Sequence, residues 1–185
     1  MNPLQRIFFL ITMTSILSSA VKTVVITGAG RGIGLGMARA YNDAGCIVFA
    51  TCRNKTPELE AIGINAKGGA IVSGIDVSTE SGVASLCAAV GDRKIDILIN
   101  NAGILSVETI DALDCDAMRK QFEVNAVAPL RITTALRKNL KKGSKVVMIT
   151  SRMGSVAGTT TTRFSILRFL LPCSFLPSSH LVPLF

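Results

Sequence analysis

Residues 21–34 read Val21-Lys22-Thr23-Val24-Val25-Ile26-Thr27-Gly28-Ala29-Gly30-Arg31-Gly32-Ile33-Gly34, and this stretch decides the fold. Its first half is a β-branched run suited to a buried strand, and from Gly32 to Ala44 the pattern turns helical. The glycines between them therefore sit where a strand passes into a helix. Gly28 can make a tight turn without a Cβ, Gly32 and Gly34 let the backbone come close to a ligand, and the helix start offers unpaired N–H groups to a negative charge. A nucleotide diphosphate is the ligand that such a turn suits. The spacing is Gly-x-x-x-Gly-x-Gly, and no Lys-Ser/Thr pair follows, which disfavours the phosphate loop of ATP hydrolysis.

The alternation continues outward from that turn. Cys46–Thr51 reads as a second strand, and Thr56-Pro57-Glu58 opens a short helix with a cap, a proline at its first position and an early acid. Ala70–Ile75 is a third strand, Ser78 or Thr79 starts a helix to Val90, and Ile95–Ile99 is a fourth strand. A long helix over about Asp116–Leu140 and a strand over Lys145–Thr150 complete the pattern. Five strands alternating with helices predict an α/β fold, a doubly wound parallel sheet of Rossmann-like type with helices on both faces. Ligands bind such sheets at the carboxyl ends of the strands, where the direction of crossover reverses.

The 185 residues are 49% apolar and 17% charged, enough for one sizeable core and too few for two ordinary domains. The reading divides them into an apolar segment, 1–20, a dinucleotide-binding domain, 21–158, and an atypical apolar tail with prolines, 159–185. Five cysteines without a Cys-x-x-Cys pair support neither a disulfide framework nor a zinc site, and the single histidine, His180, leaves little for a histidine-based triad. The net charge of +8 is uneven: residues 124–185 carry nine basic side chains and no acidic one. Arg137, Lys138, Lys141, Lys142 and Lys145 fall near the expected end of the long helix, where cations complement its negative pole. No aromatic residues are interleaved with them, so nucleic acid is set aside as a partner. Arg6, the apolar run Ile7–Leu17 and the small residues up to Ala20 follow signal-peptide order. Cleavage after Ala20 would cut into the first strand, which favours a cytoplasmic protein, with secretion or membrane contact through the terminal apolar segments as the alternative.

With Asn100-Asn101-Ala102-Gly103 after the fourth strand, the glycine spacing resembles the short-chain dehydrogenase/reductase family over about Val21–Gly154. The resemblance implies cofactor contacts from Thr27, Gly28, Arg31, Gly32, Ile33 and Gly34 in the turn. It implies further contacts from Asp76 and Val77 beside an adenine, and from Asn101, Ala102 and Gly103. It makes Asn125 an active-site asparagine and Ser151 the catalytic serine. The reaction implied is hydride transfer between a nicotinamide and a small carbonyl or alcohol. Charge selects the cofactor. Residues 44–57 contain no carboxylate, whereas Arg53 and Lys55 follow the second strand and Arg31 lies in the turn, a set that suits the 2′-phosphate of NADP(H) better than the free ribose of NAD(H). Pro129 has no N–H to give to the Asn125 carbonyl, which predicts a local kink and a carbonyl free to hold water.

The family's tyrosine acts as acid or base on the substrate oxygen, and a lysine four residues later lowers the tyrosine's pKa. Here the sole tyrosine is Tyr41, no lysine follows Lys145, and Phe164 stands near the place where the tyrosine belongs. The expectation is a truncated or altered family product, with later strands and helices missing, an exposed edge beside the fifth strand, and weak or no activity. Three functions stay open: an NADP(H)-dependent oxidoreductase of reduced activity, a silent NADP(H)-binding module, and a chain whose exposed face and apolar tail pair with another subunit, such as an intact relative or a second copy.

Overall fold

The computed structural model describes residues 21–106, 109 and 111–150. Ser151, the segment 1–20 and the tail 159–185 lie outside the described residues. Five parallel strands, β1 (Thr23–Ile26), β2 (Ile47–Thr51), β3 (Ala70–Val72), β4 (Ile95–Asn100) and β5 (Leu140–Met148), form one sheet in the order β3-β2-β1-β4-β5. Helices α1 (Gly32–Asp43), α2 (Pro57–Glu60), α3 (Glu80–Val90), α4 (Cys115–Phe122) and α5 (Ala128–Ala135) connect them. The chain runs outward from β1 to β3, then returns to place β4 on the other side of β1. That reversal opens a crevice at the carboxyl ends of β1 and β4.

Both faces of the sheet are covered, which is why the strands read as nearly unbroken apolar runs. Val24, Ile26, Val48, Ile99 and Val147 pack on one face with Ala38 of α1, Leu59 and Ile64. Val25, Phe49, Leu98 and Val146 face the other way, against Leu86 and Val90 of α3, Ile132 of α5, and Leu136. Local signals set the helix starts: Thr56 caps α2, Thr79 caps α3 and Asp114 caps α4, each side chain accepting from a first-turn N–H. None of the described helices is long and apolar enough to cross a membrane.

Two expectations need correction. The long helix over Asp116–Leu140 is not continuous. A π-helical turn, Glu123–Val127, separates α4 from α5, with the Ala128 N–H reaching back five residues to the Glu123 carbonyl. The ladder is thus already widened when it meets Pro129, so a π turn stands in place of a simple proline kink. The helix also ends five residues early, because Asn139 turns the chain and its Nδ2 donates to the carbonyls of Gly91 and Arg93 at 2.7 and 2.8 Å. The fifth strand then starts at Leu140, not Lys145, and closes at Met148. Ile95 pairs with Leu140 while Ile97 pairs with Lys145, so the intervening residues bulge from the ladder. Ser144 holds the bulge, its Oγ donating to the Ile95 carbonyl at 2.6 Å and accepting from the Lys141 N–H at 2.8 Å. Arg137 and Lys138 alone follow the helix end directly, and Lys141, Lys142 and Lys145 belong to the strand. Among the described residues, β3 and β5 are the two outer strands of the sheet.

Candidate functional site

The glycine turn is held by its neighbours. Gly28 has φ +67°, and a Cβ there would lie 2.8 Å from the Ala102 Cα. A Cβ on Gly34 would meet the Gly28 carbonyl oxygen and, at 2.5 Å, the Asn101 Nδ2. Gly32 also has a left-handed backbone, φ +56°, but open space where its Cβ would stand. Gly28 and Gly34 are therefore required by packing, and Gly32 by conformation alone.

Thr27 and Asn101 are the clamps. The Thr27 hydroxyl accepts from the N–H groups of Asn101 and Ala102, both at 3.0 Å. The Asn101 Nδ2 donates to the carbonyls of Thr27 and Gly28 at 2.9 and 3.1 Å. Both side chains are spent on joining the end of β1 to the end of β4. Thr56, besides capping α2, donates to the Gly30 carbonyl at 3.0 Å and ties the turn to the second connection. What this bracing leaves open is the start of α1. Arg31 enters it with extended backbone, no side chain caps it, and its first turn carries no acid. Unlike α2, α3 and α4, it keeps its N-terminal N–H groups and positive pole available to an anion.

Beside this helix start lies a cleft of about 610 Å³, whose lining includes Arg31, Ile33, Asn101, Gly103, Asn125 and Thr150. Asn125, only 8% exposed, clamps the loop after β4: its Oδ1 accepts from the Ile104 N–H at 2.9 Å and its Nδ2 donates to the Ile104 carbonyl at 2.8 Å. A Cβ on Gly103 would stand 3.3 Å from that Oδ1, so the glycine lets the clamp close. Asn100 also lines the cleft. Its Nδ2 donates to the Thr133 hydroxyl, which donates to the Pro129 carbonyl, while its buried Oδ1 has no hydrogen-bond partner among the described residues. The sequence motif after the fourth strand includes Asn100 but assigns it no contact, although an amide at the end of an apolar strand beside Asn101 was a usable signal. Met148, Ile149 and Thr150 extend the lining from β5 and were legible only as strand-end positions.

The remaining predicted residues lie beyond the second and third strands. Arg53 and Lys55 are exposed after β2, and Arg53 is not part of the cleft lining that includes Arg31. Asp76 is exposed and Val77 buried. The Ser78 hydroxyl and N–H donate to the Asp76 carboxylate at 2.6 and 2.9 Å and hold it below its ordinary pKa, helped by the charges of Arg53 and Lys120. Arg53 and Asp76 thus share one neighbourhood. Cys52 is buried beneath Gly30, and that burial pushes its thiol up despite the charge of Lys55, so it acts as a packing group.

The family description "short chain dehydrogenase" matches residues 22–165. The chain belongs to the short chain dehydrogenase family. The chain is 34% identical over 143 residues to 1-hydroxy-2-glutathionyl-2-methyl-3-butene dehydrogenase of Rhodococcus sp. (strain AD45), covering 76% of its own length and 61% of the relative's. Among solved structures it is similar to a carbonyl reductase from Pseudomonas aeruginosa PAO1 in complex with NADP, with TM-score 0.67 and 34% identity over 74% of this chain and 64% of that one. It is also similar to the NADPH-bound carbonyl reductase from chicken fatty liver, with TM-score 0.64 and 28% identity over 81% and 68% of the two chains. The chain spans about three-fifths of the length of the first of these relatives.

Proposed function

We propose that this chain binds NADP(H), with the diphosphate at the start of α1, and that its chemistry is hydride transfer between nicotinamide and a small carbonyl or alcohol, weak or lost with the residues it carries. The uncapped N-terminus of α1 beside the open face of Gly32 carries this reading, because side chains cap the three other helices that open from loops. The residues fit the group: Gly32 leaves room for the backbone to approach phosphate, and the adjoining cleft of about 610 Å³ has the size of a ligand site. Arg31 and Arg53 would hold the 2′-phosphate, Asp76 and Val77 the adenine, and Ala102 and Gly103 the ribose side. The two carbonyl reductases named above, solved with NADP or NADPH, support the choice of cofactor.

The chemistry that a cofactor held by these residues would supply is the gain or loss of a hydride. Ser151, next in sequence to the cleft residue Thr150, would orient the substrate oxygen by a hydrogen bond. Asn125 would act through the backbone, keeping the Ile104 peptide and the cleft wall in place. Proton transfer is the weak point. A phenol needs a nearby ammonium to serve as a base near neutral pH, and no tyrosine or lysine follows Ser151 in this sequence. The second reading, a silent NADP(H)-binding module, is favoured by that lack and by the full engagement of the Asn125 amide with Ile104.

Fluorescence titration with NADPH and NADH tests the binding. NADPH is expected to bind at least about tenfold more tightly, and Arg53→Asp to remove most of that preference while leaving NADH affinity within about threefold. Tighter NADH binding by the unaltered protein would overturn the cofactor assignment. A carbonyl turnover screen then separates a weak enzyme from a silent one.

A further inference from the structure

The residues assigned to the cofactor fall in two groups along the rim of the sheet. Arg53, Asp76 and Val77 follow β2 and β3, while Asn101, Gly103 and Asn125 line the cleft beyond β4. One side chain joins the two groups. Arg131, in the first turn of α5, donates from its Nη1 to the Ser78 carbonyl at 2.8 Å, and its Nη2 forms an ion pair with the Glu123 carboxylate at 2.7 Å.

Each partner bears on one group. Ser78 is the residue whose hydroxyl and N–H hold the Asp76 carboxylate. The other hydrogen bonds of residues 76–79 stay within four positions of sequence: Thr79 donates by N–H and hydroxyl to the Asp76 carbonyl and caps α3. Among the described residues, the Arg131 guanidinium is therefore the hydrogen-bonded link from this loop to a distant element, 53 positions along the chain. Glu123, at the other end, opens the π turn that contains Asn125. In a regular α-helix, positions eight apart stand about 12 Å apart along the axis and about 80° apart around it, on different flanks. The wider π turn takes up one residue more and brings Glu123 back towards the flank of Arg131. The ion pair spans the turn from outside, while the Asn125 amide holds the Ile104 peptide on the cleft side. Arginine suits the place because its planar fork presents N–H groups in two directions, where a lysine offers a single ammonium. The Arg131 and Glu123 side chains are 30% and 36% exposed, so screening leaves the ion pair a small share of the overall stability.

On the reading that NADP(H) binds here, we propose that Arg131 is a positioning residue for the cofactor: it holds the adenine-side loop and the π turn of the cleft wall in one fixed relation, so that filling one end steadies the other.

The test is binding of NADPH and of 2′,5′-ADP, which has the adenine end without the nicotinamide, to the full chain and its variants. Arg131→Met removes both contacts and should weaken both ligands by about tenfold or more. Glu123→Gln leaves the Ser78 contact in place and should weaken NADPH by about threefold, with 2′,5′-ADP unchanged. In the unaltered protein, saturating 2′,5′-ADP should slow hydrogen exchange of the Ala128 N–H, at the far end of the π turn, by about threefold or more, and Arg131→Met should abolish that slowing. Thermal melting reports whether the variants are folded; should Arg131→Met fail to fold, the Glu123→Gln split and the exchange of the unaltered protein still decide. Unchanged 2′,5′-ADP affinity in folded Arg131→Met, equal loss of both ligands in Glu123→Gln, or no slowing at Ala128 would each overturn the proposal. If the unaltered protein bound neither ligand, the cofactor assignment would fall and this role with it. If it bound both and the variants matched it, the role of Arg131 alone would fall.

Discussion

At the scale of single residues, two glycines in the same helix test what the turn demands. A methyl group on Gly34 would run into the Gly28 carbonyl and the Asn101 amide, whereas one on Gly36 meets nothing within 4 Å. Gly34→Ala should therefore lower NADPH affinity by about tenfold or more and destabilise the fold by roughly 2 kcal/mol, as overpacked sites do. Gly36→Ala should stabilise the fold by about 0.5–1 kcal/mol through better helix propensity and leave NADPH affinity unchanged. Urea unfolding and fluorescence titration of the pair check both. The glycine pattern was legible because backbone freedom is a property of the residue itself. The duties of Thr27, Asn101 and Asn125 were not, because their partners lie far off in the chain: Thr27 meets Asn101 across 74 positions and Asn125 meets Ile104 across 21. A sequence shows that an amide is present, but not which carbonyl claims it.

Helices and strands show the same division. Thr79 was readable as a helix start, and in the fold its hydroxyl accepts from the Gly82 N–H at 3.0 Å. Thr79→Ala should lower stability by about 1 kcal/mol, read as a lower midpoint in urea with an unchanged slope. The π-helical form of the break between α4 and α5 escaped sequence reading because a π turn has no residue of its own. Pro129 announces that the ladder must give way, but the extra residue is taken up before it, between Glu123 and Val127. The start of β5 escaped for a related reason. Leu140-Lys141-Lys142-Gly143-Ser144 has no strand pattern, and it is drawn against β4 by the Ser144 hydroxyl and by the turn made by Asn139.

For the molecule as a whole, Asp96 is the test of how the first, fourth and fifth strands are held at their entry. Its burial alone would raise its pKa, but the hydrogen bonds from Lys141 and the Thr23 N–H, together with the charges of Lys141 and Lys22, outweigh that and hold the carboxyl below its ordinary value. A carboxyl depressed in the folded state binds protons more readily once unfolded, so its stabilisation is complete above the ordinary aspartate range and is lost as pH falls through the lower, folded value. With Lys141 half exposed, Asp96→Asn should cost about 1 kcal/mol at neutral pH, and the gap to the unaltered protein should close in acid. Thermal melts of both proteins across that range check it; a gap that widened as pH fell would refute the linkage.

Taken by itself, the sequence determined the alternation of strands and helices, the glycine turn and the side of the sheet on which a ligand belongs, since each follows from a short-range period or from the geometry of one residue type. Tertiary structure decided the rest. It turned Thr27, Asn101 and Asn125 into braces, left the start of α1 uncapped, and set Arg131 between the loop after β3 and the π turn. Each of those outcomes depends on which distant groups meet, and that is settled only when the strands take their places in the sheet.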